Sequence, residues 1–399
     1  MFKPVRILQV AAAVLLGGCA SSQTVPSHTQ HNTVSSNIQQ AAPAQSAVTL
    51  SGSGSGWARR ALAPDSGPNA FTDSNGRLKP DIQAYAQRVA ATRGLPLNHV
   101  QALLEDARYD AKAAELMSPA KTRLRRSWVT YRKRFVDPIR IRAGVEFWAD
   151  NRQALDEAFA RYGVPPSIIV AIIGVETVYG RYTGSFSVLD AIATLAFRYP
   201  EHPNRPDRVK LFQDQLADLM VLDYQGVLDA RRVTGSFAGA MGLPQFMPGS
   251  LKRYAVDGDG DRNIDLASSP EDAIMSVANF LVEHGWQPGL PVFAPVRLPA
   301  DAKRLVHGGL EPVYEWKQLE AKGAAPIATP ASAQVTAPWT QHKLGVVDLV
   351  DEPRKQVEYR SGTPNFFAIT HYNRSYFYAA SVADLAEELA ARMGYGQPN

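Results

Sequence analysis

Pro165-Pro166-Ser167-Ile168-Ile169-Val170-Ala171-Ile172-Ile173-Gly174-Val175-Glu176-Thr177-Val178-Tyr179-Gly180 sets one carboxylate in an otherwise apolar run. The paired prolines fix φ and need no N–H donor at a helix start, and Gly180 suits a stop, so a helix is predicted here. On it, Ile172 and Ile173 lie one turn before Glu176 and share its face. A carboxyl on an apolar face is costly to ionise, and the negative end of the helix dipole pushes the same way, so its pKa should rise. Held protonated near neutral pH, it can serve as a general acid. A buried Glu satisfied by an Arg or by backbone fits this helix equally well.

Far upstream, residues 1–18 belong to targeting and not to the fold. Lys3 and Arg6 make a short basic region, and Ile7 to Leu16 is an apolar run too short to span a bilayer comfortably. Leu16-Gly17-Gly18-Cys19 resembles a bacterial lipobox, whose Cys is lipidated and becomes the new N-terminus. An ordinary signal peptide is the competing reading. Cys19 is the only cysteine, and a lone Cys there is better explained by an acyl anchor than by a disulfide or a metal site. Ala20 and Ser21 follow with no Asp at the second position. By the usual lipoprotein sorting pattern, that favours the outer membrane, with the mature chain facing the periplasm. Residues 19–64 are rich in Ser, Gln, Ala, Thr and Gly, and are expected to be a disordered tether.

The remaining body is long enough for a large core and more than one domain, with 45% apolar residues over the whole chain. Net charge is +4, with both signs mixed along the body. This suits an anionic polymer and does not point to nucleic acid. Residues 65–160 read as a helical domain: Ile82, Tyr85, Ala86, Val89 and Ala90 keep helical spacing, and Asp137-Pro138 looks like an N-cap with Pro behind it. Residues 161–286 are also mainly helical and hold most of the chemistry. Residues 287–365 are rich in proline and contain alternating pieces, Val292 to Leu298 and Lys343 to Val350, which read as short strands. Ala324 to Ala333 reads as a surface loop. In the last segment, 366–399, Val382, Leu385, Ala386, Leu389 and Met393 mark an amphipathic helix.

Three stretches carry further chemistry. Asp257-Gly-Asp259-Gly-Asp261-Arg-Asn263-Ile264-Asp265 alternates oxygen ligands as an EF-hand loop does. Arg262 stands where that loop needs Gly, and Ser268 where it needs a closing Glu; Asp272 could supply the closing carboxylate. Ser269-Pro270-Glu271-Asp272 also reads as a helix start. A structural Ca2+ or other hard cation is one expectation, and a solvated Asp/Gly turn the other. Gly235 to Pro248 combines glycines with Ser236 and Gln245, which suits either close approach of a polymer or a tight packing loop. Aromatics suited to sugar faces cluster at Trp128 and Tyr131, among several Arg and Lys, and from Asn365 to Tyr378; most are core by default. The chain has no His-Glu-x-x-His, no cysteine cluster, no phosphate-binding glycine loop and no Gly-x-Ser-x-Gly elbow. Zinc hydrolysis, phosphoryl transfer and hydride transfer lose support accordingly.

From about residue 68 to residue 393, the body resembles the membrane-bound lytic transglycosylase B family of Gram-negative bacteria. The resemblance rests on Tyr131-Arg-Lys-Arg-Phe135, Tyr162-Gly-Val-Pro-Pro166, Ile173-Gly-Val-Glu-Thr177, Gly235-Ser-Phe-Ala-Gly-Ala-Met-Gly242 and Gln245-Phe-Met-Pro248. It continues through Ser276-Val-Ala-Asn279, His284-Gly-Trp286, Pro364-Asn-Phe366 and Tyr372-Asn373. It implies a mainly α (α+β) fold: a helical domain, a lysozyme-like core and a small β-containing domain. It implies cleavage of the β-1,4 bond between N-acetylmuramic acid and N-acetylglucosamine without water, with no cofactor for catalysis. Glu176 matches the catalytic Glu. Tyr131, Ser236, Gln245, Asn373 and Tyr378 match residues lining the glycan groove, and Asp257, Asp259, Asp261, Asn263 and Asp272 match the calcium loop. Leu243-Pro244 replaces the family's aromatic-Gly before the Gln. Implied partners are peptidoglycan strands, the outer membrane through the lipid, and cell-wall synthesis proteins. The rival readings are a hydrolytic muramidase pairing Glu176 with Asp207, Asp214 or Asp223, and a non-catalytic wall-binding lipoprotein.

Overall fold

The computed structural model describes residues 70–120, 122–327 and 338–395. Cys19, the targeting segment and the whole of the tether lie outside them, as does most of the loop expected at 324–333, in which Ala325–Pro326 is a two-residue strand. The described chain is mainly helical. It opens with α1 (Pro80–Arg93), α2 (Leu97–Asp106), α3 (Ala111–Met117), α4 (Trp128–Phe135), α5 (Pro138–Asp150) and α6 (Arg152–Tyr162). Asp137 caps α5 by accepting from the Ile139 and Arg140 N–H groups, with Pro138 at the first position. The α1 residues Ile82, Tyr85, Ala86 and Val89 are buried, as their spacing predicts.

The centre follows with α7 (Pro166–Thr177), α8 (Val188–Phe197), α9 (Arg205–Tyr224), α10 (Pro248–Tyr254) and α11 (Pro270–Glu283). A two-residue ribbon, β1 (Phe186–Ser187) against β2 (Thr234–Gly235), extends by isolated bridges from Gly235 to Met241 and from Met241 to Phe246. Between Pro291 and Gly362 there is less strand than the alternation suggests. β3 (Val296–Arg297) pairs with β4 (Ala325–Pro326) over two residues, because Pro295 interrupts the run. The stretch beginning at Gly345 does form β5 (Gly345–Asp351), antiparallel to β6 (Gln356–Gly362). This region also holds α12 (Trp316–Glu320) and a separate small core around Leu290, Leu305, Leu319, Trp339 and Leu344.

The chain closes with α13 (Pro364–Tyr372) and α14 (Tyr376–Arg392). In α14 every residue from Tyr378 to Ala386 is buried, so that stretch has no solvent face. The amphipathic pattern expected there holds only for the last turns, because α7, α4, α5, α13 and β5 surround the rest. The helix α7 is buried from Ser167 to Val175 and forms the middle of the main core. Among the described residues no single helix is long and apolar enough to cross a membrane.

Candidate active site

The helix α7 begins as its prolines predict, with Pro165 as N-cap and Pro166 first inside. It ends earlier than Gly180. The chain leaves the helix after Thr177 through Val178 and Tyr179, both left-handed at φ 51° and 57°. This conformation is unusual for a β-branched residue and has to be held by its surroundings. Tyr179 supplies part of that hold. Its ring stacks on Phe147 and fills space that Gly144 and Gly174 leave open; a Cβ on either would lie 2.3 or 2.4 Å from its hydroxyl. Thr177 supplies another part: its hydroxyl accepts from Gly180 N–H and donates to the Leu243 carbonyl at 3.0 Å. The last turn of the helix is thereby tied to the 235–248 loop.

Glu176 sits on that last turn, half-buried. The Tyr378 hydroxyl donates to its Oε1 at 2.7 Å. Among the described residues it has no ion pair, so the Arg that would have made it a plain structural carboxylate is missing. Burial raises its pKa from 4.5 to about 7, and the Tyr378 hydrogen bond opposes that rise. Three phenols feel its charge. Burial and Glu176 push Tyr378 and Tyr372 well above their ordinary range, and push Tyr131 upward against the pull of Arg134. The Tyr372 and Tyr378 rings are nearly parallel with centroids 6.2 Å apart. The Tyr372 hydroxyl donates to the Pro244 carbonyl. Among the described residues the buried Tyr131 hydroxyl meets no hydrogen-bond partner, and neither does the buried carbonyl oxygen of Asn373. Such groups are costly to leave unpaired in a finished interior and mark places where a polar ligand would be welcome.

Ser236 and Gln245 are held by the glycine-rich loop. The Ser236 Oγ accepts from Ala240 N–H at 3.0 Å. Gln245 adopts φ 52° and donates from Nε2 to the Thr183 and Gly242 carbonyls, which leaves its carbonyl oxygen uncommitted by that pair. The glycines around them are also packing devices. A Cβ on Gly235 would lie 2.2 Å from the Ala240 carbonyl oxygen, and one on Gly242, at φ 69°, 2.4 Å from that of Leu266. The tight-packing reading of this loop and the groove reading therefore coexist. Tyr372 is the residue that sequence reasoning left off the site; its only signal was its place beside Asn373.

The acidic loop brings Asp257, Asp259 and Asp272 together, with carboxylate oxygens within 4.8 Å of one another. Arg262 takes the left-handed turn, φ 71°, that a Gly would otherwise supply. Asp261 caps Asn263 N–H and stands outside the three. Asp272 is buried, accepts from Gly258 and Asp265 N–H groups, and is raised by burial and then by the Asp259 charge, against those hydrogen bonds. Ser269 also caps α11 through Asp272 N–H, so the helix-start reading holds for the same residues. Three converging carboxylates fit a hard cation.

A family profile described as a transglycosylase SLT domain matches residues 77–387. The membrane-bound lytic murein transglycosylase B of Escherichia coli (strain K12) is 36% identical over 321 residues, 78% of this chain and 83% of that protein. Among solved structures, the soluble lytic transglycosylase SltB1 of Pseudomonas aeruginosa superposes with a TM-score of 0.69 at 37% identity, covering 79% of this chain and 100% of that one. The Escherichia coli lytic transglycosylase Slt35 in complex with calcium gives a TM-score of 0.67 at 35% identity, over 81% and 95%. The mainly helical fold with a lysozyme-like core is the one these enzymes share. The chain belongs to this transglycosylase family, the lytic enzymes that cleave peptidoglycan.

Proposed function

We propose that this enzyme cuts the bond between N-acetylmuramic acid and N-acetylglucosamine without water, with Glu176 as acid and then as base. The observation that carries the reading is a half-buried Glu176 whose pKa burial raises to about 7, which accepts from the Tyr378 hydroxyl and has no ion pair among the described residues. Ordinary glycosidases need two carboxyl groups. Two candidates for a second one are engaged elsewhere, Asp214 with Lys210 and Asp223 with His99 and the Ala230 N–H, and the third, Asp207, is exposed on the first turn of α9.

On this reading Glu176 first protonates the bridging oxygen. Positive charge grows at the muramic anomeric carbon, where the substrate's own N-acetyl group stabilises it. The ionised Glu176 then takes the proton of the C6 hydroxyl, and closure leaves a 1,6-anhydromuramoyl end. Tyr378 steadies the carboxylate in the ionised half of the cycle. Tyr131, Ser236, Gln245 and Asn373 position the sugar through neutral hydrogen bonds. The same reading includes a helical domain over 65–160, a catalytic core over 161–286 and a small β-containing domain over 287–365. It also includes lipidation at Cys19, an outer-membrane location, and cell-wall synthesis proteins as partners. Asp257, Asp259 and Asp272, with Asp261 and Asn263 nearby, would hold a structural Ca2+ that stiffens the loop before α11. Mass spectrometry of digested sacculi tests the chemistry: wild type yields anhydro ends and Glu176→Gln yields none, whereas reducing ends alone would reject it.

A further inference from the structure

Asp384 lies in the buried contact between α14 and α4, away from Glu176, and binds two cations at once. Arg132 of α4 reaches its Oδ2 and Arg360 of β6 its Oδ1, both at 2.5 Å. Arg360 also pairs with Glu358, which accepts from the Trp128 indole N–H at 3.0 Å. The Arg360 guanidinium lies over the Trp128 and Phe293 rings. Two cations and two anions are thus closed into a neutral network, with Asp384 the most buried of its members. Asp384 and Arg360, the best covered of the four, hold a fixed geometry, because removing one leaves the other unpaired where little water reaches it.

The network is joined to the site through both helices. Phe377 stands seven residues before Asp384, on the same face of α14, and packs on Trp128 and Tyr131 at ring distances of 5.5 and 5.4 Å. Arg132 directly follows Tyr131, whose phenol feels the charge of Glu176. Tyr378 directly follows Phe377 and donates to Glu176. Two of the three tyrosines that feel the acid, Tyr131 and Tyr378, therefore ride on the two helices that Asp384 clamps, and β6 is locked to the same point.

We propose that Asp384 is a positioning residue for the transglycosylase reaction: by bridging Arg132 and Arg360 it sets the separation of α4 and α14, and so the placement of Tyr131 and Tyr378 against Glu176. This inference rests on Glu176 being the acid and base. Displacements well under the size of an atom at a reacting group are enough to lower turnover by about 10- to 100-fold.

The test is a kinetic cycle on the full-length enzyme, reading release of anhydro ends from soluble glycan chains, with melting temperatures measured in parallel. Asp384→Asn should lower kcat by about 10-fold while KM changes less than about twofold, and Asp384→Glu should restore part of the loss. In a background of Tyr131→Phe with Tyr378→Phe, Asp384→Asn should cost less than about twofold, because both hydroxyls it places are already gone. A lowered melting temperature with unchanged kcat, or losses that multiply independently in the cycle, would overturn the proposal and leave the role of Glu176 standing. Wild type that releases only reducing ends removes the Glu176 reading and this inference with it. If Asp384→Asn does not fold, the pair Asp384→Asn with Arg360→Gln, neutral on both sides, carries the same measurement.

Discussion

Replacing Glu176 with Gln should stabilise the protein, and the gain should depend on pH. Burial raises the wild-type carboxyl from 4.5 to about 7. Between those values the folded chain keeps a proton that the unfolded chain has released, so folding stability is complete below the lower value and declines as pH climbs through the upper one. Each tenfold in that proton equilibrium is about 1.4 kcal/mol, so the whole interval amounts to on the order of 3 kcal/mol. The part of the side chain that touches solvent trims this to about 2 to 3 kcal/mol. Gln has the same outline and keeps an acceptor for the Tyr378 hydroxyl, but it cannot ionise. Urea denaturation of both proteins from about pH 4 to about pH 8 isolates the effect, because all other groups titrate alike in the two and cancel. The stability difference should start near zero at the acid end and open to about 2 to 3 kcal/mol above neutrality. Two curves that stay parallel across the range would refute the raised pKa, and with it the picture of an acid held uncharged by its surroundings.

Three other outcomes follow from the geometry. Tyr378→Phe removes the hydrogen bond that opposes the rise, so the alkaline limb of kcat/KM should move up by about one pH unit; a limb that moves down contradicts the contact. Gly242→Ala forces a side chain at φ 69° against the Leu266 carbonyl oxygen and should cost at least about 2 kcal/mol by urea denaturation. Asp272→Asn loses one acceptor for the Gly258 or Asp265 N–H and one charge of the acidic trio. It should lower stability by about 1 to 3 kcal/mol and abolish the rise in melting temperature on adding Ca2+; an undiminished rise argues that the ion binds elsewhere.

Local chemistry was legible where it acts within one turn. The prolines opening α7, the Asp137 cap on α5 and the Ser269 cap on α11 are short-range hydrogen-bond arguments, and the structure bears them out. The end of α7 was not legible. Val178 and Tyr179 adopt a backbone that their residue types avoid, and what holds it, the gap beside Gly144 and Gly174 and the Thr177 tie to Leu243, is distant in sequence or hidden in the helix. The phenols around Glu176 were equally invisible to spacing, because Tyr131, Tyr372 and Tyr378 arrive from opposite ends of the body; the family resemblance assigned two of them to the groove and held the third only as a motif residue. Several quoted motif residues prove to be joinery. Asn365 binds the Gln287 and Leu290 carbonyls, Trp286 donates to the Gly163 carbonyl, Asn279 to that of Tyr254, and the Ser276 hydroxyl holds Val256 N–H. A motif read alone does not tell a fastener from a reagent.

The bond from Tyr378 to Glu176 spans 202 positions of chain. Synthesis proceeds from the other end, so a half-made molecule carries Glu176 but not the phenol that completes its surroundings. A peptidoglycan-cleaving enzyme of this fold is thereby incomplete until its closing helix has been made, and a chain cut short before residue 376 should release no fragments from sacculi.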